Sequence, residues 1–262
     1  MTVGEALSAS SLDAREARIL LAAATGFSQA AVLAFPERAL PAEDAERFAQ
    51  FAARRRAGEP VAYILGEQEF YGLRLTVTPA VLIPRPETEL LVDLALEREF
   101  ARAADLGTGC GAIALAIKHE RPAAAVVAVE ASAAALEVAR RNAVRLALEV
   151  DWRHGRWCEP LAEESYDLVL ANPPYVAAGD PHLAALGYEP AQALVAGADG
   201  LDAIRAIAAQ APQHLDAGGW LLIEHGMGQD AVARELLVHA GLRDVRTWPD
   251  LARIPRVSGG RR

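Results

Sequence analysis

The sequence predicts an α/β fold: a doubly wound, mostly parallel sheet preceded by a small helical domain. Three observations carry that expectation. Beyond residue 100, short apolar runs alternate regularly with helical stretches. A glycine-rich segment, Asp105-Leu106-Gly107-Thr108-Gly109-Cys110-Gly111, joins one such run to a helix. Before residue 60 the chain is alanine-rich and shows helical periodicity without strand patterning. The 262 residues, 52% of them hydrophobic, suffice for one sizeable core and a second, smaller one.

Taken in order, the first helix starts at Ser11 to Asp13, with Glu16 three places after Asp13, and stops at Gly26. A short helix covers Ser28 to Leu33 and ends before Phe35-Pro36. A longer one opens at Pro41 with Glu43, Asp44 and Glu46, and closes on Arg54-Arg55-Arg56 before Gly58. Acids first and bases last suit a helix dipole, so the arginines read as a solvated helix end, or else as a docking patch. Residues 1–66 are thus expected to form a helical recognition domain. From Glu67 to Val77 the period becomes two around Gly72, which predicts a β-hairpin; residues 67–82 would bridge to a domain at 83–262. Leu82 to Glu89 is extended by its prolines, and Thr88 or Glu87 either caps the following helix or lines a cleft.

Strands are expected near Ala101–Leu106, Ala125–Glu130, Glu149–Arg153, Tyr166–Ala171 and Trp220–His225. Helices are expected near Ala112–His119, Ala133–Leu146, Leu201–Ala211 and Gln229–Ala240, with an antiparallel return between Arg243 and Val257. The net charge of −9 disfavours non-specific binding to a phosphate backbone. Cys110 and Cys158 lack CxxC spacing and are expected as free thiols, and the histidines show no metal-ligand spacing. Early charges rule out a signal peptide's apolar core, and no long apolar run suggests a membrane span, so a cytoplasmic protein is expected.

Chemistry concentrates at Asn172-Pro173-Pro174-Tyr175, directly after the apolar run ending at Ala171. Two prolines stop any strand ladder, and in an open α/β sheet the carboxyl end of a strand is where ligands bind. An amide or exocyclic-amine nitrogen is a poor nucleophile because its lone pair is delocalised. The Asn172 side-chain oxygen and the Pro173 carbonyl can each accept one N–H, and Tyr175 can stack on the planar group. That is catalysis by orientation and electrostatics.

The glycines at 107, 109 and 111 let the backbone turn and approach a ligand, and Glu130 ends the next strand, where a carboxylate suits a ribose. Gly107-x-Gly109-x-x-Ala112 also satisfies the dinucleotide fingerprint, which leaves an oxidoreductase as a competing reading. Three details favour S-adenosylmethionine. Asp105 at a strand end suits a ligand's ammonium, no hydride-transfer machinery is evident, and the Asn172 loop suits an NH2 group held in line with a sulfonium methyl.

These features resemble the amino-methyltransferases of the class I, S-adenosylmethionine-dependent fold. Together with Ile83-Pro84-Arg85-Pro86-Glu87-Thr88-Glu89, Asp180-Pro181-His182-Leu183, Tyr188-Glu189-Pro190 and Glu224-His225-Gly226, they resemble the peptide-chain release factor glutamine methyltransferases, the PrmC/HemK family. That resemblance runs over almost the whole chain. It implies methylation of the glutamine N5 in the Gly-Gly-Gln loop of release factors, with the N-terminal helices helping to grip the protein partner. By the same resemblance Asp105, Gly107, Thr108, Gly109, Cys110, Gly111, Glu130, Trp157 and Asn172 serve the cofactor. Asn172, Pro173, Pro174 and Tyr175 hold the glutamine amide. Glu130 stands where the family commonly has aspartate, and Arg156 where it commonly has an acid near the adenine. A cation cannot accept the adenine N–H, so either a backbone contact or a weaker cofactor affinity is expected there. The alternatives are an adenine-N6 DNA methyltransferase, which uses similar NH2 chemistry after base flipping, and a catalytically silent cofactor-binding module.

Overall fold

The computed structural model describes all 262 residues, which divide into two compact units, Met1–Glu67 and Gln68–Arg262. In the first, α1 (Val3–Ala9) opens on a capping box: Thr2 N–H donates to Glu5 at 2.8 Å and Glu5 N–H to Thr2 Oγ1 at 3.2 Å. This helix lies outside the elements expected from periodicity, although the Thr2-x-x-Glu5 signature stands in the sequence. Helix α2 (Ala14–Thr25) starts at Asp13, whose carboxylate takes the Arg15 and Glu16 amides, and stops at Gly26, φ 74°. Helix α3 (Gln29–Ala34) is capped by Ser28, and α4 (Ala42–Arg56) follows Pro41. Helix α5 (Val61–Leu65) was not expected, because five residues are too few to display a period. Leu20, Leu21, Val32, Phe48 and Ile64 form the shared core.

The arginine triplet at the end of α4 is committed within this unit. Arg54 pairs with Glu59 (2.5 Å), Arg55 with Glu16 (2.8 Å), and Arg56 donates to the Ser10 carbonyl (2.8 Å). The guanidiniums therefore tie α4 to its neighbours instead of forming a free basic patch.

The hairpin β1 (Glu67–Phe70) and β2 (Leu73–Thr76) counts with the larger unit, since the boundary between units falls after Glu67. Tyr71 N–H donates to Glu89 at 2.8 Å, and the Tyr71 hydroxyl to Asp93 at 2.8 Å. The other end is held by Asn142, which accepts Thr76 N–H at 2.7 Å and donates to the carbonyls of Thr76 and Cys110, each at 3.0 Å.

The seven-stranded sheet contains β3 (Arg102–Leu106), β4 (Ala125–Glu130), β5 (Asp151–His154), β6 (Tyr166–Ala171), β7 (Leu215–Glu224), β8 (Arg243–Pro249) and β9 (Pro255–Arg261). Its order is β5-β4-β3-β6-β7-β9-β8, with β9 antiparallel to both neighbours. Helices α6 (Glu89–Leu96), α7 (Ala112–Glu120), α8 (Ala133–Leu146), α9 (Asp202–Gln210) and α10 (Asp230–His239) supply the connections and flanks. Residues Ala112 to Ile117 of α7 are buried on every side, as an all-apolar helix must be. Strand β7 begins five residues before the expected start, across Asp216-Ala217-Gly218-Gly219, a string that reads as a turn. A side chain at Gly219 would lie within 3.0 Å of the Tyr166 and Asp167 carbonyls, so glycine there permits strand contact at an irregularity in the ladder.

The strand order reverses between β3 and β6, the topological switch point at which open α/β sheets bind ligands. Leu106 lies opposite Ala171 and Ala171 opposite Ile223, so Gly107 and Asn172, just past β3 and β6, stand in a row with Glu224, the last residue of β7.

Asn142→Ala should destabilise the protein by about 2–3 kcal/mol, because a wholly buried amide leaves the Thr76 N–H and two carbonyls without their partner. A lower urea midpoint with an unchanged slope is the expected result.

Candidate active site

A cleft of about 460 Å³ opens at the switch point, and Gly107, Gly109, Glu130, Trp157, Asn172 and Pro174 all line it. Its other walls are Ala80 to Leu82, the start of α8, and the stretch from Pro190 to Ala203. Asp105, Thr108, Cys110 and Gly111, expected at the cofactor, stand behind this wall instead of on it.

The glycine loop shows why. Gly107, φ 77°, donates its N–H to the Val129 carbonyl at 2.8 Å, and a side chain there would lie 3.2 Å from the Trp157 ring. Gly109 N–H donates to Glu130 Oε2 at 2.9 Å and Ser132 N–H to Oε1 at 2.8 Å, so two backbone donors hold the carboxylate while lone pairs on each oxygen remain. Asp105 secures the loop from within: Oδ2 accepts the Thr108 hydroxyl at 2.5 Å and the Ala114 N–H at 3.2 Å. Its Oδ1 is buried without a partner, and burial pushes the carboxyl pKa up to about 7. An unsatisfied acceptor at that strand end has the chemistry an ammonium group completes.

Cys110 is a buried thiol pushed up to about 12, again by burial, and so is inert. Gly111, φ 88°, would meet Leu115 and Trp152 at 3.0 Å with any side chain, which makes it a packing residue. Both cysteines are free.

Trp157 is held at φ 50°, a left-handed conformation that costs a bulky residue roughly 1–3 kcal/mol. Its ring lies over Gly107 and its Nε1 is buried without an acceptor. Such strain against a ligand wall was not legible in the sequence. Arg156 lines the same wall with its side chain exposed, and its backbone is engaged on both sides: N–H to Glu159 Oε2 at 3.3 Å, carbonyl from Glu159 N–H at 3.0 Å. The expected backbone contact to an adenine thus has only the carbonyl's second lone pair available.

Asn172 is the centre of the arrangement. Its Nδ2 donates to Thr88 Oγ1 at 3.0 Å, and its Oδ1 is buried with no donor. Thr88 therefore does not cap α6, which has no side-chain cap; it supports the cleft. Pro173 is buried, Pro174 lines the cleft, and Tyr175 is partly buried with its hydroxyl 3.5 Å from Glu224 Oε1. Burial pushes Tyr175 up to about 12, with Glu224 adding to it, so the phenol stays neutral. Gln229 clamps the loop, donating to the Tyr175 carbonyl at 3.0 Å while accepting Gly226 N–H at 2.8 Å. Beyond it, Val176 pairs with Val195, its N–H reaching the Leu194 carbonyl at 2.8 Å.

Glu189 accepts the Ile83 N–H at 3.0 Å and the Arg85 guanidinium, joining the loop after Tyr175 to the proline-rich segment before α6. Glu189, Thr88 and Glu224 lie within sequence motifs, but no sequence pattern assigns them partners. Gln229 carried no signal, since its partner is distant in the chain. Glu224 is 1% exposed; burial pushes it up to about 7, with the nearby Thr88 hydroxyl and Arg256 cation pulling the other way.

A glycine loop, a ribose-height carboxylate and an amide-accepting loop at the switch point of this sheet define a class I, S-adenosylmethionine-dependent methyltransferase. Residues 86–237 match the methyltransferase small domain, and residues 3–66 match the PrmC N-terminal domain. The chain belongs to the release factor glutamine methyltransferase family. It is 45% identical to the release factor glutamine methyltransferase of Neisseria gonorrhoeae over 100% of this chain and 98% of that protein. Identity is 48% to the one from Burkholderia pseudomallei, over 99% and 96% of the two chains. Among solved structures, a methyltransferase from Pyrococcus furiosus shares the fold, with a TM-score of 0.58 and 19% identity over 81% of this chain and 98% of that one. The 16S rRNA N2 G1207 methyltransferase of T. thermophilus does so with a TM-score of 0.57 and 22% identity, over 75% and 49%.

Gly107→Ala should weaken S-adenosylmethionine binding by roughly tenfold or more, about 1.4 kcal/mol, because the methyl group forces either the backbone or the Trp157 ring to move. Titration calorimetry reads this directly.

A pH effect follows from Glu224. A carboxyl pKa raised from 4.5 to about 7 contributes stability fully present below about 4.5 and lost as pH rises towards 7. Glu224→Gln cannot ionise, so its stability relative to the wild type should climb across that window and level off above it, measured by urea unfolding at each pH.

Proposed function

We propose that this chain transfers a methyl group from S-adenosylmethionine to the side-chain N5 of the glutamine in the Gly-Gly-Gln segment of peptide-chain release factors. The observation that carries the reading is Asn172: one end of its amide is tied to Thr88, and the other is a buried oxygen lacking a donor. A primary amide supplies that N–H. Holding it by an acceptor raises the electron density at nitrogen and fixes the lone pair's direction.

The residues present fit the donor. Glu130 would take the ribose hydroxyls, Gly107 and Gly109 the methionine portion, and Trp157 one face of the adenine; the Asp105 carboxyl suits the ammonium. S-adenosylmethionine would supply an electrophilic methyl on a sulfonium; the N–C bond would form as the S–C bond breaks, leaving a neutral thioether, and the proton shed by the amide nitrogen would pass to water. The protein's share is orientation: Asn172 and the Pro173 carbonyl accept N–H groups, and Tyr175, kept neutral, offers its ring to the planar amide.

The partner in this reading is a protein, consistent with a net charge of −9 that repels a phosphate backbone. The residues 1–66 would help grip that protein through surfaces other than Arg54 to Arg56, which are paired internally. No helix is long and apolar enough to cross a membrane, and translation termination would place the enzyme in the cytoplasm.

Incubation of a purified release factor with the protein and S-adenosylmethionine, followed by mass spectrometry, tests the reading. One methyl on the Gly-Gly-Gln glutamine is expected; cofactor binding without that modification would defeat the substrate assignment. Asn172→Ala should lower turnover by roughly 10²–10³ while leaving cofactor affinity within a few-fold. Near wild-type turnover would show that the amide is not oriented by Asn172.

A further inference from the structure

Glu224 ends β7 beside the strand from which Asn172 emerges: Ala171 is registered opposite Ile223, so Asn172 and Glu224 are neighbours at the carboxyl edge of the sheet. The carboxylate is 1% exposed, its Oε1 faces the Tyr175 hydroxyl at 3.5 Å, and its Oε2 has no partner. Thr88 stands close to it and accepts Asn172 Nδ2 at 3.0 Å. A buried acid beside Tyr175, and close to the Thr88 hydroxyl that holds Asn172, is costly unless it does something there.

The two ends of an asparagine amide have almost the same shape, so only its hydrogen-bond partners decide which faces the cleft. Catalysis by orientation needs the oxygen outward. Thr88 can donate or accept. When Glu224 is ionised it can only accept, so the Thr88 hydrogen turns towards it and the Thr88 oxygen takes Asn172 Nδ2. When Glu224 is protonated it can donate to Thr88, whose hydrogen is then free to seek Asn172 Oδ1. The amide flips, and two NH2 groups confront each other across the cleft.

We propose that Glu224 is a positioning residue whose carboxylate, acting through the Thr88 hydroxyl, fixes the end of the Asn172 amide that faces the substrate. Its catalytic consequence rests on the methyltransferase reading above; the orientation of Asn172 does not. The charged and titratable groups around Glu224 are Arg256 of β9, which leans on Asp250 at 3.4 Å, and Glu87 and Arg85 of the proline-rich segment. Tyr175 completes them, with His225 next in sequence, buried and bound to Ser258 at 2.9 Å. Arg256 favours the ionised carboxylate and Glu87 opposes it, while His225, its proton affinity lowered by burial, contributes no charge near neutrality.

The test uses the full chain without cofactor and then the turnover assay. Between pH 5 and 8.5 the Asn172 side-chain NH2 resonances should titrate with a single midpoint in the wild type, and should not titrate in Glu224→Gln. With release factor as substrate, wild-type kcat should rise through a matching transition. Glu224→Gln should flatten that profile and lower kcat at pH 8 by roughly tenfold or more, with KM for S-adenosylmethionine within about twofold. Thr88→Val should reproduce the loss and Thr88→Ser should restore it, which keeps the test alive if the Glu224 variant folds poorly. Asn172 resonances indifferent to pH, or a Thr88→Val enzyme with wild-type kcat and pH profile, overturn the proposal. A lower kcat in Glu224→Gln with an unchanged profile also overturns it, since that is the mark of a structural role. If the wild type leaves release factor unmethylated the substrate assignment fails, and the resonances still decide the orientation of Asn172.

Discussion

The parallel pairing of β3 with β6 is the constraint on which the rest depends. Once Leu106 is registered opposite Ala171, the glycine loop and the Asn172 loop must leave the sheet side by side. Both strands are buried on both faces, so a slip of one residue would move each side chain into packing made for its neighbour and carry the two loops out of line. Everything chemical follows from that adjacency. Glu130 lines the cleft from β4, and on the other side Glu224, buried at the end of β7, stands beside Asn172 in the register.

The second organising feature is the placement of unsatisfied polar atoms. Buried polar groups in folded proteins are nearly always paired. Here five side-chain atoms are not: Arg98 Nε, whose guanidinium lies over Trp220 and Trp248, and Asp105 Oδ1, Trp157 Nε1, Asn172 Oδ1 and Glu224 Oε2, which lie at or behind one site. Each costs free energy while it lacks a partner, and three of them have the polarity of groups a nucleoside-bearing donor and a primary amide would satisfy. The strained backbone at Trp157 belongs to the same pattern. Stability is given up where binding can restore it, while the surrounding clamps of Gln229, Glu189 and Asn142 keep the loops from relaxing into a better-satisfied but useless arrangement.

Much of the architecture was readable in the linear chain. The limits of β4, β6 and α8 coincide with those expected from periodicity, because each is a run of uniform pattern between strong breakers. Two short helices, α1 and α5, escaped for want of length, and the early start of β7 was masked by residues that look like a turn. At the site, Gly107, Gly109, Glu130, Trp157, Asn172 and Pro174 reached the cleft, since motif spacing places residues at strand ends. Asp105, Thr108, Cys110 and Gly111 share that motif but face inward, a distinction of side-chain direction that a glycine pattern does not encode.

By itself, then, the sequence determined the order of strands and helices, the two chemical loops and the family. Each of those depends on local pattern and on residues adjacent in the chain. Only the tertiary structure decided that Arg54 to Arg56 are spent inside their own unit, that Thr88 supports Asn172 and caps nothing, and that Glu224 stands next to both. Such pairings join residues far apart in sequence. They are set by strand register and by the requirement that buried donors find acceptors, a condition that exists only once the sheet has closed around them.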